Sequence, residues 1–133
     1  MNIYESAEDY LETILMLCEK NGSARSVDIA AHLNVTKPSV SFAMKRLREN
    51  GYILMGADSH ITLTPSGEAI AKRILERHTL LTEFLTRLGV NEETARTDAC
   101  KIEHDLSDET FDAIRCHAQQ KWSVLSPDST ENQ

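Results

Sequence analysis

A chain of 133 residues, 41% of them hydrophobic, can bury one ordinary core or two small lobes that share one, which excludes a large multidomain enzyme. Its longest apolar stretches, 10–18 and 29–33, are broken by Glu12, Thr13 and His32, and Met1-Asn2-Ile3-Tyr4-Glu5 lacks the basic start and apolar middle of a signal peptide, so a cytoplasmic protein without a membrane partner is expected. The net charge of −7 speaks against a nucleic-acid partner, but 23–64 carries five basic residues against three acidic ones, leaving −9 for the rest.

Residues 4–19 place Ile14, Leu15, Leu17 and Cys18 at helical spacing, and Asn21-Gly22 ends the pattern as a C-cap does. Ser26 or a neighbour caps a short helix over 27–33, Asn34-Val35 turns the chain, and Thr36 caps a second helix with Pro38 in its first turn, which Gly51 stops after Asn50. The stretches 52–55 and 60–63, joined by Gly56-Ala57-Asp58-Ser59, read as a β-hairpin. Thr64-Pro65-Ser66-Gly67 opens a long helix to about Leu88, ended by Gly89. Two more helices, 91–104 and 107–122, are capped by Asn91 and Ser107, and the tail 126–133 is expected to be disordered.

Two short helices, a tight turn and a small hairpin are the order of elements in a winged helix-turn-helix, whose second helix enters the major groove of DNA. Ile29, Leu33, Val35, Val40, Met44 and Leu47 have the spacing of a buried face, leaving Lys37, Ser39, Ser41, Lys45, Arg46 and Arg48 as the polar set. Short hydroxyls near a helix N-terminus suit base edges and thymine methyls, and cations suit phosphates. With Arg25 and the first-turn residues Thr36 and Pro38, the expected DNA-binding set is Arg25, Thr36, Lys37, Pro38, Ser39, Ser41, Lys45 and Arg46. The bland alternative is a helical hairpin with a solvated face. His60, on the hairpin, reads as a surface residue with no visible partner.

Asp9 and Glu12 stand three apart on the first helix, and Cys100, Glu103 and His104 occupy i, i+3 and i+4 on a later one, so each group shares a face. Thiolate, carboxylate and imidazole are the side chains that bind first-row transition metals. The cysteines at 18, 100 and 116, odd in number, form no disulfide framework and are thiols in a reducing compartment. Singly, each of these residues has an ordinary explanation: solvated acids, a core cysteine, a lone histidine. An enzyme with Cys100 as nucleophile and His104 as base is a rival, but no oxyanion-hole loop accompanies the pair. A third reading keeps the winged helix and makes the acidic cluster structural.

Ser6 to Ile14, Val27-Asp28-Ile29-Ala30, Leu63 to Gly67, Arg77-His78 and Ala99 to Ser107 together resemble the diphtheria toxin repressor family of iron- and manganese-dependent repressors, over about residues 4–118. The resemblance implies a mainly α fold with a small β-hairpin wing: a winged helix-turn-helix over 1–64 followed by a helical metal-binding and dimerisation lobe over 65–125. It implies a transcriptional repressor of metal-uptake genes, a homodimer on double-stranded palindromic operator DNA when loaded with Mn2+ or Fe2+. Co2+ and Zn2+ are expected to bind in vitro, and no small organic ligand is expected. The implied metal ligands are Asp9, Glu12, His78, Cys100, Glu103 and His104, with His78 entering through the resemblance alone. The manganese branch has a carboxylate where this chain has Cys100. The iron branch has the cysteine but a methionine and no acid where this chain has Asp9 and Glu12, so the site is a hybrid. Thr82 and Arg96 stand where the second site of the iron branch needs an acid and a histidine.

Overall fold

The computed structural model describes residues 5–125, so the expected tail 126–133 lies outside the described residues. In chain order the elements are α1 (Glu5–Asn21), α2 (Ser26–Leu33), α3 (Lys37–Glu49), β1 (Ile53–Met55), β2 (Ile61–Leu63), α4 (Pro65–Arg87), α5 (Glu92–Ile102) and α6 (Asp108–Leu125). The chain divides into two compact units between Leu75 and Glu76, inside α4. The boundary read from the sequence, 64/65, falls at the first residue of that helix.

In the first unit, α1 turns Tyr10, Leu11, Ile14 and Leu15 inward as one stripe, and Ile29, Val40, Met44, Leu47, Ile53 and Ile61 complete the core from α2, α3 and the hairpin. Gly22, at φ +87°, closes α1 in the left-handed region that a Cβ disfavours, and its N–H reaches the Cys18 carbonyl at 2.7 Å. The cap of α2 is Arg25, the neighbour of Ser26. Arg25 is extended and offers its carbonyl to the N–H groups of Asp28 and Ile29, but makes no side-chain cap bond. Asn34 takes the left-handed conformation at φ 55°, which a short amide side chain tolerates better than most, and donates its N–H to the Ala30 carbonyl.

Thr36 caps α3 as expected, its Oγ1 accepting the Ser39 N–H at 3.3 Å. Val35, read as core, is 38% exposed because it lies in the turn between the helices rather than on the inner stripe of either. The wing pairs Ile53 with Leu63, Leu54 with Thr62 and Met55 with Ile61, antiparallel. Alternation sends Ile53 and Ile61 into the core and leaves Leu54 and Thr62 outside. A bridge from Ala24 to Ile61, with N–H···O contacts of 2.9 and 2.7 Å, fastens the start of the helix-turn-helix to the wing. Gly67 is required by close approach: a Cβ there would overlap the Tyr52 carbonyl oxygen, where the hairpin meets the first turn of α4.

In the second unit, Asn91 Oδ1 accepts from Glu93 and Thr94 at the start of α5, and Ser107 Oγ accepts from Thr110 at the start of α6, both as expected. Ala95 and Ala99, four apart, are the buried face of α5; Phe111 and Ala118, seven apart, are that of α6. Arg115 on α6 reaches Glu76 on α4 at 2.8 Å. The expected helix 91–104 stops earlier. It ends at Ile102, and 103–105 form a turn, so Glu103 and His104 belong to a connection rather than to a helical face.

Candidate metal centre and nucleic-acid interface

The eight residues expected at DNA are all exposed on the first unit. Thr36, Lys37, Pro38 and Ser39 open α3, with the hydroxyls of Thr36 and Ser39 2.8 Å apart. Ser41, Lys45 and Arg46 follow along the outer side of the helix, while Val40, Met44 and Leu47 are buried beneath. Arg25 comes from outside α3, and its Nε donates to His60 Nε2 at 3.0 Å. His60 therefore has a partner, because the Ala24–Ile61 bridge brings the cap of α2 beside the wing. Phe42 was not singled out by its type, yet it is 63% exposed on α3 with the Arg46 guanidinium 5.7 Å from its ring centre. The available signal was positional: Phe42 lies between Ser41 and Lys45, off the stripe of Val40, Met44 and Leu47.

Of the expected metal ligands, Asp9 and Glu12 stand on α1 of the first unit, Asp9 half-buried and Glu12 buried. Their neighbour Glu8, also buried, is met by Arg73 at 3.3 Å.

The other four come from the second unit. Glu103 is fully buried. Its Oε2 lies 2.9 Å from His78 Nδ1 on α4, and its Oε1 lies 3.5 Å from His104 Nε2, too far for a hydrogen bond. A ligand atom of each of Cys100, Glu103 and His104 lies within 4.8 Å of the others, although α5 ends between Cys100 and Glu103. The turn at 103–105 keeps nearly helical backbone at Glu103, φ −57° and ψ −26°, which preserves the i, i+3, i+4 proximity.

A carboxylate out of water is costly unless cationic or hydrogen-bonding partners surround it. Glu103 Oε1 is buried without a hydrogen bond among the described residues. One orphaned carboxylate oxygen amid two imidazoles and a thiol fits a divalent transition-metal ion, which would take oxygen, nitrogen and sulfur donors together. His78, which spacing alone could not single out, is tied to the cluster because α4 and the turn after α5 meet in space across 25 residues of sequence.

Comparison with known proteins agrees with both halves. Residues 2–61 match the model of the iron dependent repressor N-terminal DNA binding domain, and residues 64–120 match that of the iron dependent repressor metal binding and dimerisation domain. The transcriptional regulator MntR of Salmonella typhimurium is 44% identical over 116 residues, covering 87% of this chain and 74% of that protein. The HTH-type transcriptional regulator MntR of Lysinibacillus sphaericus is 41% identical over 109 residues, 82% of this chain and 78% of that one. Among solved structures, IdeR of T. acidophilum superposes with a TM-score of 0.73 at 30% identity over 86% of this chain. The chain spans 53% of the length of that IdeR chain. No helix among the described residues is long and apolar enough to cross a membrane. The chain is a transcriptional regulator rather than an enzyme, and it belongs to the iron-dependent repressor family, with a DNA-binding domain followed by a metal-binding and dimerisation domain.

Proposed function

We propose that this chain is a cytoplasmic repressor that binds palindromic operator DNA as a homodimer when Mn2+ or Fe2+ is bound, and so controls metal-uptake genes. The observation that carries the metal reading is the fully buried Glu103, one oxygen of which has no hydrogen bond among the described residues, between His78 and His104 and beside Cys100. His78, Cys100, Glu103 and His104 are the ligands of the second unit in this proposal, and Asp9 and Glu12 are those of the first, assigned by their match to the family. When bound, a divalent ion would add positive charge among these acidic side chains.

The chain's own groups do the rest. Asp9 and Glu12 offer hard oxygens that suit Mn2+, whereas Cys100 offers a softer donor that suits Fe2+. A bound ion lowers the cost of keeping the Glu103 carboxylate charged out of water. Lys37, Lys45, Arg46 and Arg25 engage phosphates, and Ser39 and Ser41 on the outer side of α3 face bases. In a twofold dimer two such helices read half-sites about one DNA turn, ~34 Å, apart. Coupling between metal and DNA is reciprocal, so operator DNA tightens metal binding by the factor that metal tightens DNA binding.

The deciding experiment measures operator binding by the metal-free protein with Mn2+, Fe2+, Co2+ and Zn2+ added separately without oxygen. Activation by Mn2+ and Fe2+ is expected. Equal DNA affinity with and without every ion would overturn metal control and leave a winged-helix regulator of another kind.

A further inference from the structure

Arg77 sits beside a proposed metal ligand, His78, and has no part in the chemistry described so far. It is 4% exposed, an unusual state for a permanent cation. Its Nη1 donates to two main-chain oxygens, Glu103 at 3.0 Å and Leu106 at 2.7 Å, and its Nη2 donates to Asp108 Oδ1 at 2.5 Å. The guanidinium carbon stands 5.1 Å from the centre of the Phe111 ring. All these partners lie on the connection from α5 to α6 or on the first turn of α6.

We propose that Arg77 is a positioning residue for the metal centre: it fastens the turn that carries Glu103 and His104 to α4, one residue from His78. The inference rests on the metal centre proposed above. A helix end leaves its last carbonyls without intrahelical partners, and here one side chain takes two carbonyls beyond Ile102 while placing a cation at the C-terminus of α5. The same cation meets Asp108 in the first turn of α6, so two helix ends are held by one group. Glu103 is thereby gripped twice from adjacent residues of α4, its main chain by Arg77 and its side chain by His78. With the backbone of the turn held, the Glu103 carboxylate and the His104 ring are oriented before a metal arrives. Lysine, a compact charge without a planar fork, cannot reach three acceptors in that geometry.

The test uses the full chain with Arg77→Met and Arg77→Lys. Co2+ is titrated without oxygen while the thiolate-to-cobalt charge-transfer band is followed, and helicity and thermal unfolding of the metal-free proteins are recorded alongside. Arg77→Met should keep its helicity and lose about 10–100-fold in Co2+ affinity with an altered band, the range typical of groups that orient metal ligands. Arg77→Lys should fall between. A folded Arg77→Met protein that melts earlier but binds Co2+ with the parent affinity and band would overturn the inference, since Arg77 would then serve the fold alone. Should Arg77→Met fail to fold, Arg77→Lys decides: a weakened, altered Co2+ complex supports the inference and a parental one overturns it. Lack of Co2+ binding by the unsubstituted protein would overturn the metal centre itself, and the inference with it.

Discussion

His78 Nδ1 lies 2.9 Å from Glu103 Oε2, joining α4 to the turn after α5 at a carboxylate that has no exposed surface. A buried acid whose second oxygen finds no hydrogen bond among the described residues fits the proposed metal site. Glu103→Gln keeps the shape and removes the charge. It should lower Mn2+ affinity by more than about 100-fold, beyond the loss usual for a merely orienting group. The metal-free protein should be at least as resistant to urea as the parent, since a neutral amide is less costly to bury than a charge. Calorimetric Mn2+ titration and urea unfolding check the two halves, and unchanged Mn2+ binding would remove Glu103 from the ligand set.

In the proposed metal site, Cys100 is the departure from a purely oxygen and nitrogen set. Cys100→Glu should shift activation toward Mn2+ and weaken the response to Fe2+ and Co2+, because affinity for softer donors rises along that series. Cys100→Ala should weaken all three without unfolding the protein. A Co2+ complex that activates DNA binding but shows no near-ultraviolet thiolate band would mean that the thiol is not a ligand.

On the outer side of α3, proposed to meet DNA, Lys37→Ala, Lys45→Ala and Arg46→Ala should each weaken binding to every sequence and reduce the salt slope by about one per contact in each half-site. Ser39→Ala and Ser41→Ala should change sequence preference more than general affinity. Phe42→Ala tests an exposed ring that supports Arg46, and it should lower affinity by no more than the effect of Arg46→Ala. Randomised-site selection at two salt concentrations separates these outcomes. Preference untouched by any substitution on α3 would count against this helix as the reader.

Apolar residues of α4 to α6 fall into two groups. Leu81 and Phe111 are each 3% exposed and serve the chain's own core, whereas Phe84, Leu85, Ile102, Leu106 and Ile114 are half-buried and Leu88 is 66% exposed. A twofold dimer would cover this residual surface. Leu88→Asp should weaken the dimer while the protomer stays folded, and Leu81→Asp should unfold the domain. Analytical sedimentation at micromolar concentration reads both, and a monomeric parent protein would contradict the half-site arrangement.

Gly67→Ala should destabilise the protein by more than about 1 kcal/mol, because the added methyl meets main chain rather than a flexible side chain. Gly56→Ala, where a Cβ would stand 3.7 Å from the His60 carbonyl, is the control and should cost less. Comparable denaturant midpoints for the two variants would show that the hairpin and α4 can separate at little cost.

The order of helices and wing, and most of their ends, are legible in the sequence because caps and stripes act within a few residues. Thr36, Asn91 and Ser107 cap the helices that follow them, and Ile14, Leu15, Val40, Met44 and Leu47 lie inside. The exposed, polar side of α3 follows from the same local periodicity. Other features depend on segments distant in the chain: His60 gains Arg25 across 35 residues, and Glu103 gains His78 across 25. Spacing placed Glu103 and His104 on a helix, yet the chain leaves helix at Ile102 and Arg77 holds the turn. Periodicity marks which side of an element is buried, but only tertiary packing in the second unit decides that Leu81 and Phe111 are core and that Arg77 is buried. Those outcomes depend on which distant backbone and side-chain groups meet, and spacing along one segment carries no record of them.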